Sequence, residues 1–285
     1  MSSVSDTTAD GAPVWFVTGC STGFGRHLAE HLLAQGERVV VTARRTEDVA
    51  DLAAKGDALV LGLDVTDHAQ IAVAVATAER HFGRIDVLVN NAGIGYFGAL
   101  EESDPAKVRR MFDINVFGLA EMTRAVLPGM RARRSGAIVN FSSIGGLCAF
   151  PGLSWYNATK FAVEALSEAL WQEVEPLGLK VMLVEPSGFR TDWAGRSADE
   201  AADPIADYAE TAHKNLKRIR AHSGQQPGDP VRAAQAIVEA IESGAPPHRL
   251  LLGNWAFDSA MAKLDTLKTE FAALEAVARG ADFPK

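Results

Sequence analysis

The chain reads as an open α/β fold, a doubly wound seven-stranded parallel sheet with helices on both faces. Three observations predict it. Short apolar runs rich in Val, Ile and Leu alternate with longer segments of helical period along the chain. Several of these runs are continuous in apolar residues, as strands covered on both faces must be. The first run leads straight into a glycine-rich turn at 18–25 and then an amphipathic segment.

The strands fall at 14–18, 38–43, 58–64, 87–90, 137–142, 180–186 and 249–252. Helices are predicted between them at 25–35, 46–55, 68–82, 105–133, 154–175 and 229–243. Asp67 and Asp229 carry short carboxylates that can accept from the free N–H groups of a helix start, so they read as N-caps. Pro230 suits a first helical position, where its missing N–H costs nothing. The segment 187–228 is far longer than a usual strand-to-helix joint and mixes acidic helix formers with Gly195, Pro204, Gly224, Pro227 and Gly228. Insertions of this kind read as a substrate lid. The tail 256–285 is mostly helical, with Met261, Leu264, Leu267, Phe271 and Leu274 on one side, suited to packing on the body or on a neighbouring subunit. Residues 1–12 are polar, lack the basic flank and apolar run of a signal peptide, and read as a flexible tail. With no composition shift and no repeat, 13–285 is expected to form one domain.

The 285 residues are 47% hydrophobic and 22% charged, an ordinary globular composition. A formal charge of −8 argues against nucleic-acid or anionic-membrane partners. The cluster Arg131, Arg133 and Arg134 then reads as a solvated helix end. No apolar stretch reaches the roughly 18 residues of a membrane span. Cys20 and Cys148 make neither a disulfide framework nor a zinc site, and they fit a reducing, cytoplasmic setting. Each is either small apolar filler or a reactive thiol.

Chemistry concentrates at Tyr156 and Lys160, with Ser143 upstream. Spacing of i and i+4 puts phenol and ammonium on one helix face, where the cation should pull the tyrosine pKa down toward neutrality. Such a tyrosine can give or take a proton at an alcohol or carbonyl oxygen. The turn Thr18-Gly19-Cys20-Ser21-Thr22-Gly23-Phe24-Gly25 has GxxxGxG spacing after a strand and before a helix, which suits a pyrophosphate. The next strand ends in Arg44 and Arg45 with no carboxylate at its tip, so two guanidiniums can face a ribose 2′-phosphate. This favours NADP, with NAD possible.

Together these residues resemble the short-chain dehydrogenase/reductase family in its shorter, single-domain form, a Rossmann fold, over about residues 14–255. TGxxxGxG matches Thr18 to Gly25, including Gly19, Ser21, Thr22, Gly23 and Phe24. The Asp-Val pair matches Asp64 and Val65, and the resemblance implies that Asp64 bonds the adenine amino group. NNAG matches Asn90, Asn91, Ala92 and Gly93, which would support the sheet and line the cofactor. The helix asparagine matches Asn115, the serine Ser143 and YxxxK Tyr156 and Lys160. Pro186, Gly188 and Thr191 stand in the motif after the sixth strand, although Ser187 replaces its usual glycine.

The resemblance implies hydride transfer between a nicotinamide and a carbonyl carbon, with Tyr156 as acid/base. Lys160 would lower its pKa and bond the nicotinamide ribose. Ser143 would polarise the carbonyl, Asn115 hold a linking water and Thr191 contact the carboxamide. The substrate is a small-molecule carbonyl or alcohol. Tyr96, Phe97, Leu147, Phe150, Leu153, Trp155, Phe189 and Trp193 fall where ligands bind in such folds and point to an apolar or aromatic compound, or else are ordinary packing. Phe97, Phe150, Phe189 and Trp193, with Ser143 and Tyr156, are the expected substrate contacts. Arg190 or Arg196 could meet an anionic group or simply be solvated.

The small-residue stripe Ala158, Ala162, Ala165 and Ala169 either packs on the sheet or serves the homodimer or homotetramer interface the resemblance implies. Two other readings compete: a catalytically silent NADP-binding sensor or scaffold on this fold, and an epimerase or dehydratase of the longer family branch. Retention of Tyr156 and Lys160 counts against the first. GxxxGxG spacing and the lack of an added sugar-binding domain count against the second.

Overall fold

A computed structural model describes residues 11–195 and 198–283. The expected tail 1–12 therefore lies almost wholly outside the described residues, as does Arg196. The first half comprises β1 (Val14–Val17), α1 (Gly23–Ala34), β2 (Arg38–Ala43), β3 (Ala58–Gly62), α2 (His68–Phe82) and β4 (Val87–Asn90). A short β5 (Gly95–Phe97) leads to α3 (Pro105–Phe112), α4 (Leu119–Arg133), β6 (Gly136–Phe141), α5 (Ser154–Val174) and β7 (Leu179–Pro186). Then come β8 (Ala198–Glu200), α6 (Lys214–Ala221), α7 (Pro230–Glu242), β9 (Arg249–Leu252), α8 (Asn254–Ala273) and α9 (Glu275–Arg279).

The seven-stranded sheet runs β3-β2-β1-β4-β6-β7-β9, with every pair parallel. From β1 the chain winds outward to β3, crosses back to β4 and winds the other way. The order reverses between β1 and β4, which opens a crevice at their carboxyl ends. Alternate side chains point to opposite faces of a strand. Trp15, Val17, Val39 and Val89 meet Leu28 and Leu32 of α1 and Ile237 and Val238 of α7 on one face. Val14, Phe16, Val40 and Leu88 meet Ile71 and Val75 of α2 and Met122, Val126 and Met130 of α4 on the other.

Asp67 caps α2 by accepting from the N–H groups of Ala69 and Gln70, and Asp229 caps α7 through Val231 with Pro230 in the first turn. Asp104 caps α3 in the same way, ahead of Pro105.

Two of the expected helices need correction. The segment 46–55 is not an α-helix but two 3₁₀ turns, Thr46–Asp48 and Ala50–Ala54. It is too short to offset helix nucleation, and buried Val49 and Leu52 anchor it instead. The helix expected at 105–133 is interrupted by a π turn at Asp113–Gly118. The lid carries β8, which pairs in parallel with β5, then a π turn at Ala209–His213 and α6. Buried Glu102 fastens it, accepting from the N–H of Ile205 at 2.7 Å and pairing with His213 Nε2 at 2.6 Å.

In the tail, Ala256 and Ala260 do the packing, against Ile144, while Met261, Leu264, Phe271 and Leu274 face solvent. The alanine stripe of α5 does not pack on the sheet; Thr159, Val163 and Ser167 do, and Ala165 and Ala169 are exposed. Among the described residues no helix is long and apolar enough to cross a membrane, and no cluster of metal-ligating side chains occurs.

Candidate active site

A cleft of about 1140 Å³ opens at the carboxyl ends of the strands, where the sheet order reverses. Its size exceeds that of an ordinary small-ligand pocket and suits a dinucleotide with a second molecule beside it.

Its floor is the glycine turn. Gly19 has φ +73 and Gly23 φ +61, the left-handed region that favours glycine. Asn91 Nδ2 donates to the carbonyls of Thr18 and Gly19 at 2.8 and 2.9 Å. Thr18 Oγ1 in turn accepts from the N–H groups of Asn91 and Ala92. A Cβ on Gly25 would sit 2.4 Å from Asn91 Nδ2 and 2.5 Å from the Gly19 carbonyl, so Gly25 does not line the cleft; it lets α1 close onto the turn. Ser21, Thr22, Gly23 and Phe24 line the cleft at the start of α1, whose first turn contains no acidic residue. That leaves free N–H groups and a positive dipole end for a phosphate.

Ala92 and Gly93 form one wall, and Pro186, Gly188 and Thr191 the facing one. Thr191 lies opposite Gly23, and Ser187 fits because its Oγ tucks against the bare Cα of Gly253.

At the far end of the cleft, Arg44 and Arg45 line the tip of β2. Arg45 is bound to Asp48, its Nε donating to the carboxylate at 3.1 Å. Arg44 makes no hydrogen bond or ion pair among the described residues. Asp64 accepts from the N–H and hydroxyl of Thr66 at 3.0 and 2.7 Å. Burial works against its ionisation, yet these bonds, with Arg110 and Arg44 nearby, hold its carboxyl below the ordinary range. Val65 lines the cleft beside it.

Tyr156, Lys160 and Ser143 meet in the middle of the cleft. The Ser143 hydroxyl accepts from the N–H of Gly145 at 3.0 Å and donates to the Pro186 carbonyl at 3.5 Å, with the Tyr156 ring beside it. Lys160 Nζ donates to the Phe141 carbonyl at 2.7 Å and stands 5.8 Å from the centroid of the Tyr156 ring. The expectation that this ammonium lowers the tyrosine is not met. Burial pushes the Tyr156 phenol up to about 12, and only Ser143 opposes it. Burial likewise brings Lys160 down to about 8, with Glu164 opposing. The ammonium is spent on a carbonyl and lies over the ring, not at the hydroxyl. At neutral pH the pair is therefore phenol and ammonium.

Asn115 sits in the π turn. Its Oδ1 accepts from the Ile94 N–H, and its Nδ2 donates to the Ile94 carbonyl at 2.9 Å and to Thr159 Oγ1 at 3.2 Å. Its amide braces three segments and does not line the cleft.

Of the expected substrate contacts, Phe150, Phe189 and Trp193 line the cleft, as does Leu153. The Tyr156 and Trp193 rings lie 4.8 Å apart. Phe97 is a correction: it is fully buried behind Trp193, with the Arg220 guanidinium 4.6 Å from its ring centroid. Tyr96, Leu147 and Trp155 also stand outside the lining. Arg190 is turned away, donating from Nε to the Gln226 carbonyl at 2.8 Å. Sequence reading missed Asn215, Arg218 and Ile219, which line the cleft from one face of α6, His222 just past its end, and Trp255 from α8. Their spacing of i, i+3, i+4 and i+7 is a helical stripe, but its mixed polarity hides it. Both cysteines pack as apolar residues: Cys20 is buried in the core with its thiol pushed up to about 12, and half-buried Cys148 packs beside Ile144, where burial raises its thiol as well.

The family profile described as short chain dehydrogenase matches residues 13–202. The 3-ketodihydrosphingosine reductase of Bacteroides thetaiotaomicron is 38% identical over 238 residues, covering 83% of this chain and 86% of the relative. A short-chain dehydrogenase structure from Streptomyces avermitilis superposes with a TM-score of 0.89 at 45% identity, covering 96% of this chain and all of that one. A short-chain dehydrogenase/reductase from Burkholderia phymatum in complex with NAD gives a TM-score of 0.77 at 26% identity, covering 94% of this chain and 97% of that one.

The cradle generates a test. Gly25→Ala should weaken binding of a nicotinamide dinucleotide at least tenfold, read by fluorescence titration, with the far-ultraviolet spectrum unchanged. Undiminished binding would show that the close approach of α1 to the turn is dispensable.

Proposed function

The chain belongs to the short-chain dehydrogenase/reductase family, and on that premise we propose an NADP-preferring oxidoreductase that interconverts a carbonyl and a secondary alcohol on an apolar or aromatic small molecule. The observation that carries this reading is the meeting of Ser143, Tyr156 and Lys160 in the cleft whose floor is the glycine turn.

The residues present fit a nicotinamide cofactor: a cradle that tolerates no side chain at Gly19 or Gly25, a helix start without acidic residues, and Asp64 at the adenosine end. Such a cofactor supplies or takes up the hydride. The protein's own part is position and proton movement. Tyr156, neutral at working pH, donates its proton to the carbonyl oxygen in reduction. Ser143 can offer its hydroxyl to the same oxygen, stabilising charge that develops there. Lys160 keeps a positive charge beside the ring and, through the Phe141 carbonyl, holds the helix that carries Tyr156 against the end of β6. Trp193, Phe150, Leu153 and Trp255 exclude water and select an apolar body. A relative named for reducing 3-ketodihydrosphingosine supports a ketone with a large apolar part.

NADP preference rests on Arg44, whose guanidinium lines the cleft at the tip of β2. A homodimer or homotetramer would use the outer face of α5 and the π turn; the exposure of Phe117, Phe161 and Leu166 beside Ala165 and Ala169 supports this.

Four outcomes are expected. Tyr156→Phe should lower kcat for ketone reduction by about a thousandfold while dinucleotide binding stays within twofold; undiminished turnover would remove Tyr156 from the reaction. In the wild type, reduction needs a protonated phenol and a charged ammonium. Its kcat/KM should then be flat below neutrality and fall above about pH 8, where Lys160 loses its proton.

Arg44→Ala should raise KM for NADPH about tenfold with little change for NADH; equal effects on both would sink the assignment. Phe161→Glu should reduce the assembly seen by sedimentation velocity, and an unchanged sedimentation coefficient would rule out this face.

A further inference from the structure

Behind Lys160 lies a buried acidic pair that the reaction described above does not use. Glu164 stands on α5 one turn beyond the lysine, and Glu185 lies near the end of β7; their side chains are 7% and 0% exposed. Both reach a single guanidinium, that of Arg249 on β9. Its Nη1 donates to Glu185 Oε1 at 2.6 Å and also to Glu164 Oε2, while Nη2 donates to exposed Glu168 at 3.2 Å.

One cation cannot neutralise two buried carboxylates. With both ionised, Glu164 Oε1 and Glu185 Oε2 are left without a donor. A proton shared between them supplies one, as carboxyl pairs in one site do. Burial, with Glu164 beside it, raises Glu185 to about 7 against the pull of Arg249.

The ammonium in front needs such a partner. Lys160 is buried, donates to one carbonyl, and has no carboxylate within ion-pair distance among the described residues. Glu164 is the carboxylate whose charge acts on it. The other groups facing the pair are Glu168 on α5 and Ser142 after β6; at the rim His248 pairs with Glu175 and stacks on Trp171.

We propose that Glu164 is a positioning residue for the reaction: a buried counter-charge, held under Arg249 beside Glu185, that keeps the Lys160 ammonium charged. This rests on the part given to Lys160 above. Below neutrality Glu185 keeps its proton. As pH climbs through about 7 that proton leaves. A second negative charge then lies behind Lys160, whose own ammonium burial brings down to about 8. The pair extends the reaction to higher pH without putting a carboxylate in the cleft.

The test tracks lysine Cε signals by NMR across pH in protein labelled with ¹³C-lysine, with Lys160 identified by its loss in Lys160→Arg. Glu164→Gln should lower the Lys160 midpoint by about one pH unit. The alkaline limb of kcat/KM should move down with it, while kcat below neutrality stays within threefold. Glu164→Asp should restore both, which separates charge from packing, and Glu168→Gln should move neither.

If Glu164→Gln does not fold, Glu185→Gln carries the test. It should lower the midpoint in the same direction by less. An unmoved midpoint in the variant that folds overturns the inference, as does a loss of activity uniform across pH. A moved midpoint in a protein whose wild type reduces no carbonyl would count against the catalytic reading and leave the coupling of Glu164 to Lys160 intact.

Discussion

Lys160 donates from Nζ to the Phe141 carbonyl at 2.7 Å, and both groups are shut away from bulk water. A charge in that position is costly unless it is held by good geometry and a counter-charge. The bond ties α5 to the last residue of β6. The same strand end then turns through Ser142 and Ser143 into the cleft, so one contact sets the distance between the serine and the helix that carries Tyr156. Residues with no chemical part support it from below: Asn140 Nδ2 donates to Ser167 on α5, and Asn90 Nδ2 donates to Asn140 Oδ1. The proton-handling group thus rests on a buried polar ladder that runs across β4, β6 and α5.

The second half of the cleft is built on the opposite principle, absence of side chain in place of a buried charge. Thr18 and Asn91 exchange hydrogen bonds across the gap between β1 and β4, and that exchange shapes the glycine turn. The two halves join at the β4–β6 pairing, where Asn90 lies beside Asn140. The adenosine end and the reacting end of one bound molecule would therefore be held in register by the sheet and not by the lid.

Most of the sheet was legible in the sequence because parallel strands buried on both faces leave continuous apolar runs, as in Val39–Val40–Val41. The glycine turn, Asn91, Ser143, Tyr156 and Lys160 were legible because their spacing survives any fold that places them on successive elements. What escaped depends on three dimensions. The π turn has no one-dimensional signature, since Asn115 reveals its role only when its amide meets Ile94. Strands β5 and β8 are three residues each and exist only because the lid returns to pair there. Phe97 looked like a substrate contact because chain position cannot tell the wall of a cleft from the layer behind it. The direction of the Tyr156 shift was misjudged for a similar reason: helix spacing shows that two side chains share a face, not that the ammonium is directed elsewhere or how little water reaches the phenol.

The wide turn at Asp113–Gly118 lets one nearly continuous helix serve two surfaces. Upstream, Val108 and Met111 belong to the cluster around Tyr156; downstream, Met122, Val126 and Met130 lie against the sheet. Each residue of an α-helix rotates the next by about 100° around the axis. Losing a single residue from the turn would restore regular winding and swing one of those stripes away from its partner. Chain length across these six positions is thus constrained as tightly as side-chain identity, and a one-codon deletion here would do more harm than most replacements.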